Sequence, residues 1–497
     1  LAGLTKLADA ARFHPHVYWA DGLEQVEKEE QRPATQFNLF TKVEEKPRAT
    51  LTRSDVRAAL KKVFEKKFHA VVANPPYITE KDAARKEYHR EKVGAMQRYV
   101  SAAGRYSLGS PFAERCFQLA EKGGFVGLIT GNNFMKREFG KALIEQLFAD
   151  LDLTLVADTS QAYIPFHGTP TVLVFGRNRH PEGATVRAVM GKRGESRTPD
   201  DPAHGKVWSS IETGWSQVGY EDEYVSVTDL SRETLGRHPW SLGGGGAAEL
   251  KAALEEYVRV RLGDLAPAIG PISVPGEDDV FIASNAAPLL RRGAVDSDVC
   301  RFCDGEQVRD WASGERSALF PYDHEGKRRE SRTLNHCLWP FRTALASGAI
   351  RVQRGRRWNE YGVFFTDKLT PKFSVAFAEV ATHNHFAFDR SGKVFKQTAP
   401  VIKLRPEASV DDHLALLGLL NASVGCFWMK QVFHNKGNGG IGGGIAAEPW
   451  EKFFQHDSTK MRLFPVVDTR DKTISYATKL DALSRTLRMF KGVVQKG

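Results

Sequence analysis

The tetrapeptide Asn74-Pro75-Pro76-Tyr77 ends a short apolar run in the stretch FHAVVANPPYI. Two prolines and an asparagine are poor material for continuing a strand or a helix. Pro76 disfavours the helical region for Pro75, and Pro75 does the same for Asn74, so the chain leaves the strand extended and stiff. The Pro75 carbonyl then points in a fixed direction. With the Asn74 side-chain oxygen it offers two acceptors to the two hydrogens of an –NH2 group. Such bonding draws an amine nitrogen out of plane, frees its lone pair from an aromatic ring and makes it a better nucleophile without a strong base. Tyr77 supplies a flat face on which that ring can stack. The chemistry suited to this device is methyl transfer to an aromatic amine from a sulfonium such as S-adenosylmethionine, with the protein supplying position and electrostatics. The competing reading of the same residues is an Asn cap and a rigid turn after a buried strand.

The elements that must position the tetrapeptide alternate in type. HVYWADGL (16–23) reads as a strand and a turn at Asp21-Gly22, followed by a charged, loop-rich insertion from Glu24 to about Thr52. SDVRAALKKVFEKK (54–67) has helical spacing with Ser54 as N-cap, and HAVVAN is a short buried strand. SPFAERCFQLAEKGG begins as a helix capped by Ser110, with Pro111 in its first turn, and stops at Gly123-Gly124. FVGLIT (125–130) is a second buried strand, FGKALIEQLFAD a helix, and LTLVADT and TVLVFGRN are strands. The alternation predicts an α/β fold with a mainly parallel, doubly wound sheet, whose ligands bind beyond the carboxyl ends of the strands. Asp21, Asn74 and the run Thr130 to Asn133 should then share one edge.

The 497 residues suffice for two or three domains with cores of their own. SLGGGGAAEL (241–250) is a flexible connection. It divides a first domain, 1–240, from a second, 251–470, that is rich in arginine and aromatics, and a C-terminal helix follows over 471–497. In that helix Leu480, Leu483, Leu487 and Phe490 form one face. A 41% hydrophobic and 26% charged composition is that of a globular protein, and no apolar run approaches membrane-spanning length. Five sparse cysteines fit a reducing cytoplasm better than a disulfide framework. The net charge of +10 allows a polyanion partner and, equally, a merely solvated basic surface.

ANPPY after a strand resembles motif IV of the amino-group methyltransferases that act on adenine N6. SPFAERCFQLAEKGGFVGLITGNNFM resembles the helix–strand–Asn segment of that family, and IPFHGTPTVLVFGRNR (164–179) its later motif with an aromatic that closes on the target base. ATHNHFAFDRSGKVFKQTAPVIKL and DDHLALLGLLNASVGCFWMKQVFHNKG resemble the C-terminal region of the large adenine-specific methyltransferases of phage defence, PglX, of BREX and phage-growth-limitation systems. The type 2 BREX branch is the nearest in likeness. The resemblance implies a Rossmann-like doubly wound methyltransferase sheet followed by an α+β target-recognition domain. Asn74, Pro75 and Pro76 with Tyr77 would be the catalytic tetrapeptide, and Tyr77 and Phe166 the two faces that stack on the base. Asp21 would accept from the adenine amine of S-adenosylmethionine, Asn74 would lie against the cofactor, and Phe112 would pack on its adenine. Against these stand a turn residue for Asp21 and a core helix residue for Phe112. The family's glycine-rich cofactor loop should precede Asp21 by many residues. Its absence is read as truncation of the sequence.

An adenine inside a duplex must be extruded before its amine can react, so the resemblance also implies a grip on double-stranded DNA. Arg342, Arg351, Arg354, Arg356, Arg357, Trp358, Lys393, Lys430 and Lys436 are the candidates, by phosphate or base contact. Further partners implied are other phage-defence proteins and a phage-encoded inhibitor; no membrane and no metal is implied. Cys300 and Cys303 form a lone CxxC without a second pair, and THNHF (382–386) reads as a strand with polar alternation. The loop Gly437 to Gly444 reads as a mobile turn or an approach to the DNA backbone. Two other functions stay open: an NPPY methyltransferase acting on glutamine or RNA, and a non-catalytic DNA-binding subunit.

Overall fold

The computed structural model describes residues 22–23, 63, 65–94, 96–165, 168–195, 197–309, 311–437, 452–467 and 470–494. Asp21, the insertion, most of the helix expected over 54–67, Phe166 and residues 438–451 lie outside them. The chain forms two units. The first takes in 1–160, 169–191 and 208–240; the second takes in 161–168, 192–207 and 241–497.

The first unit is built on a sheet of β1 (Phe68–Ala73), β2 (Ala120–Gly131), β3 (Asp152–Asp158), β4 (Thr171–Arg177), β5 (Thr185–Gly191) and β6 (Val225–Ser231), in the order β1-β2-β4-β3-β5-β6. β1 pairs parallel with β2, and β3 with β5, while β4 and β6 run antiparallel to their neighbours. Four strands therefore point one way, and β4 and β6 are reversed. The stretch 159–170 that joins β4 to β3 holds no helix among the described residues, and the two strands pair directly as antiparallel neighbours.

Helix α1 (Ala83–Arg90) and helix α2 (Gly109–Leu119) occupy the crossover from β1 to β2. Ala113, Cys116 and Phe117 of α2 and Val126, Leu128, Val156, Val172 and Val174 of the strands are buried. The helix ends at Leu119 and β2 begins at Ala120, so the glycine pair falls inside the strand, where Gly123 takes a φ of +78°. Ser110 is inside the helix rather than its cap, and its buried Oγ has no partner among the described residues. β1, an edge strand among the described residues, is less buried than its sequence suggests, with Val72 85% exposed. The expected helix FGKALIEQLFAD is a run of mixed α, π and 3-10 turns from Gly140 to Asp150. It closes on a cluster of Phe134, Phe148 and Trp240.

The second unit has two apolar cores. One surrounds Phe281, Phe302, Tyr322, Tyr361 and Phe364. The other gathers Leu262, Phe377, Phe386, Leu417, Trp428 and Phe464. Four-stranded sheets contribute to each. The glycine-rich connection leads into the helix Ala247–Glu256, with Gly246 at its N-cap and φ +77°. THNHF is largely a connection: strands end at Ala381 and resume at Phe386. In the terminal helix Arg470–Val494 the packed face is Ala477, Asp481 and Ser484. Leu480, Leu483 and Leu487 are 42%, 58% and 62% exposed, so the expected apolar face is not the buried one. No described helix is long and apolar enough to cross a membrane.

Candidate active site

Asn74 is the first residue beyond β1, and the register of β1 on β2 sets Ala73 opposite Leu128. Gly131, which ends β2, pairs with Thr171 at the start of β4, and Asp158, which ends β3, pairs with Val172. The tetrapeptide and Thr130 to Asn133 thus meet at one rim of the sheet, as the alternation predicted, with Asp158 beside them; Asp21, expected at the same rim, lies outside the described residues.

The tetrapeptide is held from both ends. Pro75 is buried and Asn74 exposed. After Tyr77 the chain runs extended against the residues that lead into α2: Thr79 bridges Ser107, and the Leu108 N–H donates to the Ile78 carbonyl at 2.9 Å. Gly109, which opens α2, lets the helix approach the end of β2; a Cβ there would lie 2.6 Å from Thr130 Oγ1. The half-buried Tyr77 ring lies beside Gly131, its Cβ and Cγ 3.8 Å from where a side chain would begin. The Tyr77 hydroxyl donates to Asn74 Oδ1 at 2.6 Å, with the Ile129 carbonyl farther off at 3.4 Å. Burial raises the Tyr77 pKa above its ordinary value, so the hydroxyl remains a donor at neutral pH.

A layer of buried polar groups fixes the loop between α1 and α2. Glu114 accepts from the N–H groups of Val100 and Ser101 at 3.2 and 3.0 Å and from Ser101 Oγ at 2.7 Å. His89 Nδ1 pairs with the Tyr106 hydroxyl at 2.7 Å, and burial raises the Tyr106 pKa to about 12. Tyr99 donates its hydroxyl to the Leu23 carbonyl at 2.7 Å, which ties the turn after Asp21 to this loop. Gly22 lies on the half-buried Phe112 ring, where a Cβ would come within 2.9 Å of Cε1. Sequence reasoning placed Gly131 at this edge but missed Ser107, Gly109 and Glu114; Gly109 was visible, but its reason is a tertiary contact.

The candidate DNA contacts of the second unit divide. Lys393 is buried, donates to the Ser313 carbonyl and Oγ at 3.1 and 3.0 Å, and pairs with Asp389 at 3.6 Å. Arg351 is 2% exposed and donates to the carbonyls of Glu360 and Pro275, while burial lowers its pKa. Both are structural cations and not surface contacts: a long side chain turned inward spends its donors on backbone oxygens. Arg342, Arg354, Arg356, Arg357 and Lys436 are exposed, and Trp358 and Lys430 half-buried. Arg356 pairs with Glu360 and Arg357 with Glu330, each at 3.6 Å. Cys300 and Cys303, three apart on one strand, point to opposite faces, and burial raises the Cys300 thiol to about 12. Among the described residues no group of three His, Cys, Asp or Glu is placed to hold a metal ion.

Residues 12–164 match the Eco57I restriction-modification methylase family. Over 450 residues, 85% of this chain, the sequence is 39% identical to the adenine-specific methyltransferase PglX of Streptomyces coelicolor, covering 36% of that protein. It is 25% identical over 299 residues to the type II methyltransferase M.XhoI of Xanthomonas vasicola, covering 56% of this chain and 52% of that one. The chain therefore spans about a third to a half of the curated relatives it matches. Among solved structures, the type IIL restriction-modification enzyme MmeI in complex with DNA aligns with a TM-score of 0.50 at 9% identity, over 84% of this chain and 49% of that one. At that identity the likeness is one of fold, a mixed α/β methyltransferase fold. The similarity to PglX read from the sequence holds over most of the chain.

Proposed function

We propose that this chain carries the methyl-transfer site of a DNA adenine-N6 methyltransferase that marks host DNA within a phage-defence system of the BREX type. One observation carries the reading. The Asn74 carboxamide stands exposed at the rim of the sheet with its oxygen held by Tyr77, and among the described residues no bond folds it against its own backbone. A carboxamide oxygen has two lone-pair directions. With one taken by the Tyr77 hydroxyl, the other is left for an adenine amine. The Pro75 carbonyl accepts the second amine hydrogen, and the Tyr77 ring stacks on the base once it has been swung out of the duplex. The similarity to PglX over 85% of the chain supports adenine as the base and DNA as its carrier.

The described residues fit the adenine end of a methyl donor at one place. The Phe112 ring, lying on Gly22 next to Asp21 in sequence, offers a flat half-buried face. Phe112 would stack on that adenine and Asp21 would accept from its amine. S-adenosylmethionine, when bound, supplies an electrophilic methyl group whose thioether leaving group needs no proton. The chain's part is to hold the amine nitrogen out of conjugation and in line, and to exclude water by stacking. The exposed arginines and Trp358 of the second unit would hold the flanking duplex.

Long-read sequencing of host DNA, with the intact gene and with an Asn74→Ala variant, tests the reading. Modified adenines at one sequence motif should disappear in the variant. Their persistence, or their absence from the host with the intact gene, refutes it.

A further inference from the structure

The helix Arg332–Leu338 and the turn Trp339–Phe341 carry a surface that the methyl-transfer chemistry does not use. Trp339 is 58% exposed on the open side of an aromatic corner, its ring edge-on to Trp358 at 6.0 Å and 82°. The Arg342 guanidinium lies 4.8 Å from the Trp339 ring centroid and 6.0 Å from that of Trp358. Beside Trp339 opens a cleft of about 520 Å³, lined by Gly293, Arg332, Thr333, Asn335, His336 and Trp339. Volume and lining suit one nucleotide-sized group.

Two features say what chemistry the cleft takes. Arg332 and Arg342 have no carboxylate partner among the described residues, whereas Arg301, Arg316, Arg329 and Arg357 of the same unit are all paired. Arg332 lines the cleft and Arg342 lies against the Trp339 ring at its edge, so two arginines without a carboxylate partner flank the indole, an arrangement that calls for an anion. The second feature is Asn335. Its Oδ1 accepts at 2.7 Å from Nδ2 of Asn359, a residue only 5% exposed. That part-buried bond ties the Asn335 amide to Asn359, and in this arrangement the Asn335 –NH2 has no partner among the described residues. An indole face, an amide donor and two guanidinium groups without a carboxylate partner are the parts needed to stack a base, bond its edge and neutralise its phosphate.

We infer that this cleft binds one unstacked nucleotide of single-stranded DNA, with its base on Trp339, its edge on the Asn335 amide and its phosphate between Arg332 and Arg342. The inference rests on the reading of the chain as a DNA enzyme, but concerns a second nucleotide site, apart from the tetrapeptide. A paired base offers only its edges to a groove-bound protein. An exposed indole is useful where the stack has opened, as on a strand from which a base has been extruded.

The test is a fluorescence titration of the whole chain with an oligodeoxythymidine of about ten nucleotides, within the usual site size for single strands, and no methyl donor present. Methylation at the tetrapeptide and binding here are thus read separately. Trp339→Ala should weaken binding by about ten-fold or more, and Trp339→Phe should restore most of it. The salt dependence should stay unchanged in Trp339→Ala and fall by roughly one phosphate's worth in Arg342→Ala. Wild-type affinity in Trp339→Ala, an equal loss in Trp339→Phe, or an equal dependence on Trp339 for a fully paired duplex would each overturn the inference.

Discussion

Tyr77 performs two tasks with one side chain, and they can be separated. Its ring is the stacking face, and its hydroxyl orients the Asn74 carboxamide through a 2.6 Å bond. Tyr77→Phe keeps the ring and removes the orientation. A neutral hydrogen bond contributes roughly 0.5–1.5 kcal/mol net, so methyl transfer should slow by about three- to ten-fold, with the loss in kcat. Tyr77→Ala removes both tasks and should lose much more, in KM as well. Equal rates for Tyr77→Phe and the parent enzyme would show that the hydroxyl does not hold Asn74 during turnover. Because burial raises the Tyr77 pKa, the hydroxyl keeps its proton beyond the ordinary tyrosine range. Its contribution should be constant through neutral and mildly alkaline pH, and ionisation should remove it only above about pH 10.

At the scale of elements, the helix Arg332–Leu338 depends on one buried carboxylate. Asp298 is fully buried and accepts from Arg329 Nη2 at 2.6 Å, from Ser331 Oγ at 2.7 Å and from Thr333 Oγ1. Ser331 in turn caps the helix through the Leu334 N–H at 3.1 Å. Asp298→Ala leaves Arg329 unpaired and the cap loose, and should cost about 3 kcal/mol, read as a lower urea midpoint with an unchanged slope. None of this was legible in the sequence, where Asp298 sits more than thirty residues from its partners. The strands around the tetrapeptide were legible because β-branched runs between turn residues carry a local signal. So was their common rim, which follows from the alternation of helix and strand. Solvent-facing decisions were not. Lys393 reads like any surface lysine until Ser313 and Asp389 enclose it, and Leu480, Leu483 and Leu487 form a helical stripe that the fold leaves exposed. Periodicity reports which residues share a face, while tertiary packing decides which face is covered.

At the scale of the whole molecule, the second unit carries two histidines that make it sensitive to mild acid. His456 is 3% exposed, packs edge-on to Phe433 at 5.0 Å, and burial lowers its pKa from 6.5 to about 4. His413 is 1% exposed, stacks on Phe388 at 5.0 Å, and burial lowers its pKa as well; its Nε2 has no partner among the described residues. Above about pH 6.5 both are neutral whether the chain is folded or not, and they contribute no pH dependence. Below it the unfolded chain takes up protons that the folded cores refuse, so stability falls as the pH drops from 6.5 toward 4. For His456 alone the loss is on the order of 3 kcal/mol across that window. Asp298 acts lower down: burial pushes its carboxyl up, but the bonds from Thr333 and Ser331 outweigh it and hold the pKa below 3.8. Its stabilisation is complete above that value and is lost only as the pH falls beneath it. Acid should therefore weaken the fold in two stages, histidines first. The check is a series of thermal melts from pH 7.5 to 4.5, run on the parent chain and on a His456→Leu variant. The parent midpoint should fall steadily below about pH 6.5, and the variant should lose most of that slope. Parallel slopes in the two proteins would mean that the His456 ring is already protonated, or wet, in the folded state.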